Sequence, residues 1–307
     1  MTNYYRIMLG RGSNCAAEAK EGNFIGADFG IERDLSADLP ENWREFNKKF
    51  IPLWLENNPG KKKVAAGLSC GALWTVSKGI QKGDVVLSPD GSGTYMVGEV
   101  IGDYQYVPEG VLPHRRDVRW FSTLDRSAMS QEMQNSTGSI GTVSNITKYA
   151  KELELLIEHP GVVVSTSDST VEDPTVFALE RHLEEFLVHN WASTELGRDY
   201  DIYEVDGELI GQQYPSDTGP IDILAISKDH KALLVVELKR GRASDTVVGQ
   251  IQRYMGYVKE ELLEEGQEVR GVIIALEDDL KLRRALSMTI GIDFMTYEVK
   301  FALKKQS

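Results

Sequence analysis

Three ionisable residues gather around one turn of the chain: Asp222, Glu237 and Lys239. They flank two apolar runs, 221–226 and 233–238, joined by Lys228-Asp229-His230-Lys231. Centring an antiparallel turn between Asp229 and His230 puts Asp222 directly opposite Glu237. Facing residues share one side of a sheet, with Cβ atoms about 4.5–5.5 Å apart. Lys239, two residues beyond Glu237, shares that side. The other side collects Ile221, Ile223 and Ala225 against Leu238, Val236 and Leu234. Two carboxylates and an ammonium are thus held at one end of an otherwise apolar strand pair. Like charges face to face destabilise a sheet, and uncompensated charge in a core is costly. A divalent cation resolves the conflict, because Mg²⁺ favours carboxylate and water oxygens. An Asp–Lys–Glu salt-bridge cluster at a sheet edge is the alternative that spacing alone leaves open.

The surrounding elements must position that hairpin. Asp173-Pro174 supplies a helix N-cap followed by proline at the first helical position. Val176, Phe177, Leu179, Leu183, Phe186 and Leu187 then form the buried stripe of a helix ending near Trp191. Strand-like segments at 200–205 and 208–214 precede the hairpin. A helix over 245–264 follows it, with Gln250 and Tyr254 four apart on one face. A strand at 269–276, a helix at 279–288 and a final strand near 294–301 complete the order. Such an alternation predicts a mixed sheet layered between helices, α/β/α.

The pattern Asp222-x14-Glu237-Leu238-Lys239, led by Pro220-Ile221, resembles the core of the PD-(D/E)xK nuclease superfamily. Glu180 resembles that superfamily's first-helix acidic residue. Gln250-Ile251-Gln252-Arg253-Tyr254 resembles the Gln-x3-Tyr element of its RecB-like and NucS-like branches. The NucS-like C-terminal nuclease domain is the nearest likeness and covers roughly residues 173–276. The resemblance implies phosphodiester hydrolysis with Mg²⁺, for which Mn²⁺ is a possible substitute. Asp222, Glu237, the Leu238 carbonyl and Glu180 are its implied metal ligands. Lys239 is implied to position water, and Gln250 and Tyr254 to orient the site or touch the DNA backbone. Packing of their helix against the sheet is the plainer role for the last two. Arg240, Arg242 and Arg253 supply local positive charge for phosphates. Glu184 and Glu185 are expected to be solvated or supporting.

The first half reads differently. Short strands at 4–9, 84–87 and 94–101 are punctuated by glycines, with helical patches near 41–57 and 68–78. Residues 127–146, rich in Ser, Thr, Asn, Gln and Met, read as a surface excursion. An amphipathic helix over 146–158 ends at His159-Pro160-Gly161. Gly83-Asp84-Val85-Val86-Leu87-Ser88-Pro89, Val97–Tyr106 and His114–Trp120 resemble EVE-like domains of the PUA/YTH superfold. That likeness implies a small β-barrel with helices whose aromatic pocket holds a flipped, often modified base. Trp74, Tyr104, Tyr106 and Phe24, with Asp28 for a base edge, are the candidate pocket residues. Arg11, Lys61-Lys62-Lys63 and Arg115-Arg116 are candidate phosphate contacts, solvated charge being the default for each.

The expected organisation is α+β and α/β in two domains: 1–160, a linker at 161–172, and 173–307. Charge divides the same way. Of 34 basic and 47 acidic residues, 18 and 20 fall within 1–160, a net of −2, and 16 and 27 beyond it, a net of −11. Stacking on aromatics contributes about 1–3 kcal/mol per base without net charge, which suits the near-neutral half. Two cysteines without metal spacing, and no apolar leader or span, point to the cytoplasm. The reading from sequence is a modification-dependent DNA endonuclease of type IV restriction character, acting in anti-phage defence on double-stranded DNA as a homodimer. A NucS-like mismatch- or structure-specific repair nuclease is the first alternative, and a non-catalytic nucleic-acid-binding protein the second.

Overall fold

A computed structural model of the chain describes residues 2–138, 141–158, 183–277 and 280–297. The chain divides into two units, Met1–Asp168 and Ser169–Ser307. The 161–172 linker lies outside the described residues. Among the described residues no helix is long and apolar enough to cross a membrane.

The first unit is built on one six-stranded mixed sheet. Its strands are β1 Tyr4–Ile7, β2 Phe24–Ala27, β3 Val85–Pro89, β4 Thr94–Tyr106, β5 His114–Asp125 and β6 Val143–Asn145. They lie in the order β2-β5-β4-β3-β1-β6. Side-chain alternation sends Tyr5, Ile7, Val86, Met96 and Val118 to one face, where Ala16 and Ala19 of helix α1 (Ala16–Glu21) cover them. Tyr4, Leu87, Tyr95 and Val97 go to the other face. Met133 of α4 (Gln131–Thr137) and Leu153 and Leu156 of α5 (Ala150–Glu158) close that face, together with Met129 and Ile146. Residues 127–146 are therefore not a surface excursion: Met129, Met133 and Ile146 are core, and Thr137 is fully buried. Their polar neighbours disguise widely spaced apolar anchors.

The helical patches of this unit are α2 Trp43–Asn57, capped by the Asn42 side chain on the Glu45 amide, and α3 Lys63–Trp74. A Cβ at Gly71 of α3 would stand 2.3 Å from Cζ2 of Trp43, so the glycine permits close helix–helix approach.

The second unit carries β7 Tyr200–Ile202, β8 Glu204–Val205, β9 Glu208–Leu209, β10 Gln212–Tyr214, β11 Ile221–Ser227, β12 Ala232–Arg242, β13 Glu268–Glu277 and β14 Ile292–Thr296. The sheet runs β10-β11-β12-β13-β14, with β7 also paired to β11, and β8 and β9 form a separate ribbon. Pairs involving β11 are antiparallel, whereas β12, β13 and β14 are mutually parallel. Parallel neighbours require crossovers. Helices α8 Thr246–Tyr257 and α9 Leu280–Leu286 supply them, following α6, described over 183–190, and α7 Leu196–Asp199. One sheet face buries Ile223, Ala225, Leu234, Val236, Leu238, Val272 and Ile274, with Leu183, Leu187 and Val188 of α6 packed against them. On the other face α8 approaches β13 so closely that a Cβ at Gly271 would meet Met255 Sδ at 2.7 Å. The expected layering of a mixed sheet between helices is observed for this unit.

Candidate active site

The hairpin register matches the one read from the turn. Ile223 pairs with Val236, Leu224 with Val235, Ala225 with Leu234 and Ile226 with Leu233. Ser227 Oγ accepts from the Lys231 and Ala232 amides and donates to Asp229, while His230 takes a left-handed φ of 61°, closing the turn that sets this register. One step further along, Asp222 Oδ2 accepts from the Leu238 amide at 2.8 Å. That bond draws the carboxylate of Asp222 onto β12 beside Glu237.

Glu237 is 1% exposed, and Lys239 Nζ donates to its Oε1 at 2.6 Å. The lysine is partly open to solvent, with 30% of its side chain exposed. Charge-assisted bonds of this length are among the stronger polar contacts in proteins, and a carboxylate this deeply buried needs such a partner.

A further carboxylate approaches from α6. Glu184, expected among solvated or supporting residues, is only 7% exposed. Gln212 Nε2 donates to its Oε1 at 2.8 Å and Gln213 Nε2 to its Oε2 at 2.7 Å. The Gln213 nitrogen also reaches Asp222 Oδ1 at 3.2 Å. Burial pushes the Glu184 carboxyl up to about 7, the two glutamines opposing the rise and the nearby Asp222 charge adding to it. Glu180, the residue singled out on this helix, lies outside the described residues. The two are four apart in the sequence, a spacing that on a helix shares one face, and that is the signal that could have pointed to Glu184.

Gln250 and Tyr254 of α8 are joined, with Gln250 Nε2 donating to Tyr254 Oη at 3.3 Å. Burial first, and then the Glu237 and Asp222 charges, raise the Tyr254 hydroxyl, against the lowering influence of Gln250 and Lys239. The tyrosine thus senses all three hairpin residues. Gly219, at φ 126°, leads into β11 beneath it, where a Cβ would stand 3.2 Å from Tyr254 Oη.

Among the described residues, no group of three or more His, Cys, Asp and Glu side chains is gathered as a metal site. Mg²⁺ does not require one, because it commonly keeps several waters and takes one or two protein carboxylates. Asp222 and Glu237, hard oxygen donors brought together on adjacent strands, fit that requirement. Leu238 is buried and contributes its amide to Asp222.

Gly211 sets the approach of β10. Its amide donates to the Tyr203 carbonyl at 2.9 Å, its carbonyl accepts from Leu224 at 2.7 Å, and a Cβ there would lie 2.1 Å from the Leu224 oxygen. Gly211→Ala is expected to lower stability by about 1–3 kcal/mol through that overlap, read as a reduced urea midpoint with an unchanged slope.

In the first unit half-buried Tyr104 and buried His114 are linked in a hydrogen-bonded chain. His114 Nε2 donates to the Ile31 carbonyl at 2.7 Å, its Nδ1 accepts from the Tyr104 hydroxyl at 2.9 Å, and that hydroxyl accepts from the Leu35 amide at 3.2 Å. Burial lowers the histidine's pKa and raises that of Tyr104 to about 12, which keeps both neutral. Tyr106 packs on His114 with ring centroids 5.2 Å apart. Trp74 donates to the Pro40 carbonyl, and Phe24 is buried beneath the Arg115 guanidinium, 3.8 Å from the ring centre. Asp28 is exposed. Trp74, Tyr104 and Phe24 thus each have an internal packing or hydrogen-bonding role.

The basic candidates separate into two groups. Arg116 is 5% exposed and donates to the Val76, Ser77 and Gly102 carbonyls, and Arg115 donates to Val111 and Leu112. Both therefore serve this unit's own backbone, and Arg116, being buried, is withdrawn from phosphate contact. Arg11, Arg242 and Arg253 are exposed, and the side chain of Arg240 lies outside the description.

Comparison with known proteins assigns sequence relationships to both halves. Residues 5–147 match the model of a domain of unknown function, DUF8426. Residues 179–299 match the model described as the endonuclease NucS C-terminal domain. Among curated proteins, Endonuclease NucS of Methanocaldococcus jannaschii is 36% identical over 78 residues, 25% of this chain and 28% of that protein. Endonuclease NucS of Sulfolobus acidocaldarius is 26% identical over 150 residues, 48% of this chain and 54% of that protein. Endonuclease NucS of Pyrococcus furiosus is 31% identical over 169 residues, 55% of this chain and 57% of that protein. The matched stretch is thus at most little more than half of each relative.

A solved repair endonuclease from Pyrococcus abyssi overlaps 68% of this chain and 66% of its own, at 16% identity and a TM-score of 0.31. The EndoMS-dsDNA2 complex overlaps 71% of this chain and 66% of its own, at 16% identity and a TM-score of 0.34. Scores this low carry no structural argument. The likeness is one of sequence: residues 179–299, which hold Asp222, Glu237 and Lys239, match the endonuclease NucS C-terminal domain.

Proposed function

We propose that this chain is a metal-dependent DNA endonuclease of the NucS type, whose second unit cuts and whose first unit selects the target. The observation that carries the reading is the coincidence of the matched domain with the Asp222–Glu237–Lys239 cluster, where Lys239 Nζ lies 2.6 Å from Glu237 Oε1. Asp222 and Glu237 hold the divalent cation, Mg²⁺ or Mn²⁺, with the Leu238 carbonyl and Glu180 as further donors implied by the resemblance. When bound, the metal supplies an activated water and neutralises charge on the phosphate. Lys239 offsets phosphate charge and orients the attacking water, with Gln250 and Tyr254 fixing the wall beside it. Arg242 and Arg253 meet the DNA backbone. The net charge of −11 beyond residue 160 keeps nonspecific DNA binding weak, so target choice falls to the first unit. Cutting both strands calls for two such sites, hence a homodimer.

The narrower reading has the first unit hold a flipped, modified base in the manner of an EVE-like domain, and the enzyme restrict phage DNA. Its support is the half-exposed Tyr106, beside His114 and near the carboxylates Asp28, Glu32 and Asp34. The matched domain and the named relatives favour the repair-type reading. Unmodified, mismatched, branched and base-modified duplexes, digested side by side with Mg²⁺ or Mn²⁺, separate the two. Preferential cutting of mismatched or branched DNA, lost in EDTA, is expected. Cutting confined to modified DNA would transfer the assignment to restriction. No cutting of any duplex would overturn the enzymatic reading.

A further inference from the structure

The catalytic hairpin has a neighbour whose side chains go unexplained by strand geometry. β10 pairs with β11 so that Gln212 faces Ile223 and Tyr214 faces Ile221. Gln213 therefore stands across from Asp222, which faces Glu237 on its other flank. A row runs Gln213, Asp222, Glu237 across three adjacent strands.

Successive residues of a regular strand point to opposite sides of the sheet. Gln212 and Gln213 nevertheless reach the same carboxylate, one on each oxygen of Glu184, at 2.8 and 2.7 Å. The backbone accounts for this: Gln213 adopts φ 49°, left-handed and uncommon for a residue with a side chain. That kink breaks the alternation and turns the second amide onto Glu184. Residues held in such a conformation tend to cluster at functional sites.

The Gln213 amide also contacts a second carboxylate. Its nitrogen has two hydrogens, and its two acceptors belong to different carboxylates: Glu184 Oε2 at 2.7 Å and Asp222 Oδ1 at 3.2 Å. Asp222 Oδ2 is fixed by the Leu238 amide at 2.8 Å. The Asp222 carboxylate is thus oriented from both ends, by the β12 backbone on one side and by Gln213 on the other.

We propose that Gln213 is a positioning residue for the metal site, its one amide bridging Glu184 to Asp222 and setting the plane in which Asp222 presents its oxygens to a divalent cation. The inference rests on the proposed function for the identity of the ligand, but its test needs no cleavage. Partners that orient a metal-binding carboxylate typically change metal affinity or activity by about 10–100-fold when removed.

Mn²⁺ binding to the full-length protein, followed by calorimetry without DNA, is the direct measurement. Gln213→Met keeps side-chain length and loses both donors. It is expected to weaken Mn²⁺ about 10–100-fold, to lower kcat while leaving the KM for DNA unchanged, and to recover part of its rate at higher Mn²⁺. Gln212→Met, which touches Glu184 alone, is expected to shift Mn²⁺ affinity less. If Gln213→Met does not fold, Gln213→Asn takes its place with the same expectation, since the shorter amide cannot span both contacts. Wild-type Mn²⁺ affinity in a folded Gln213 variant would overturn the proposal. Loss of Mn²⁺ binding in Asp222→Asn, combined with no DNA cleavage by the wild type, would instead defeat the nuclease reading and leave this one to stand on the titration.

Discussion

Asp222→Asn is expected to lower metal-dependent cleavage about 1,000-fold or more while leaving the protein folded. The size follows from what the side chain does: a charge that holds a catalytic cation contributes several kcal/mol to transition-state stabilisation. The fold should tolerate the change because the asparagine can keep an oxygen facing the Leu238 amide, the 2.8 Å contact that ties β11 to β12 at this point. Removing the Asp222 charge also relieves its repulsion with Glu237. The rate is read on duplex DNA in Mn²⁺ and the fold by thermal melting. A wild-type rate in this variant would mean the site lies elsewhere. Lys239→Met carries a second cost, because it removes the ammonium 2.6 Å from a carboxylate that is 1% exposed. It should lose about 100-fold or more in rate and about 1–3 kcal/mol in stability.

The hairpin was legible in the sequence because one physical rule governs it. Period-two alternation and a four-residue turn leave a single register that buries Ile221, Ile223 and Ala225 against Leu238, Val236 and Leu234, and that register is the observed one. Glu184 was only partly legible. Its spacing of four from Glu180 offered a hint, but its place beside the hairpin is set by Gln212 and Gln213, whose arrival depends on a left-handed residue and on Gly211. No local pattern predicts a non-glycine residue at positive φ. In the first unit the sequence signal runs out in another way. Tyr104 and Trp74 hold the 31–40 segment through hydrogen bonds to Leu35 and Pro40. Such long-range capping has no sequence period. The anchors Met129, Met133 and Ile146 were likewise hidden by their polar surroundings.

Glu184 gives the unit a stability that depends on pH with an unusual sign. Its carboxyl, ordinarily near 4.5, titrates at about 7 in the folded chain because it is buried beside Asp222. A raised folded pKa means that the folded state holds the proton over a range where the unfolded state has lost it. Stability from this group is complete below about pH 4.5 and is lost as pH rises through about 7. At 1.36 kcal/mol per unit, the full loss is about 3 kcal/mol. Glu184→Gln carries no titrating proton at this site, so the wild type's stability should fall relative to the variant's across this range. Any fixed cost of setting an amide against Gln212 and Gln213 shifts the variant's curve without tilting it. Urea unfolding in EDTA at half-unit steps from pH 5 to 8 reads the difference. Curves that stay parallel across this window would show that Glu184 is ionised throughout, with the two glutamine donors outweighing its burial.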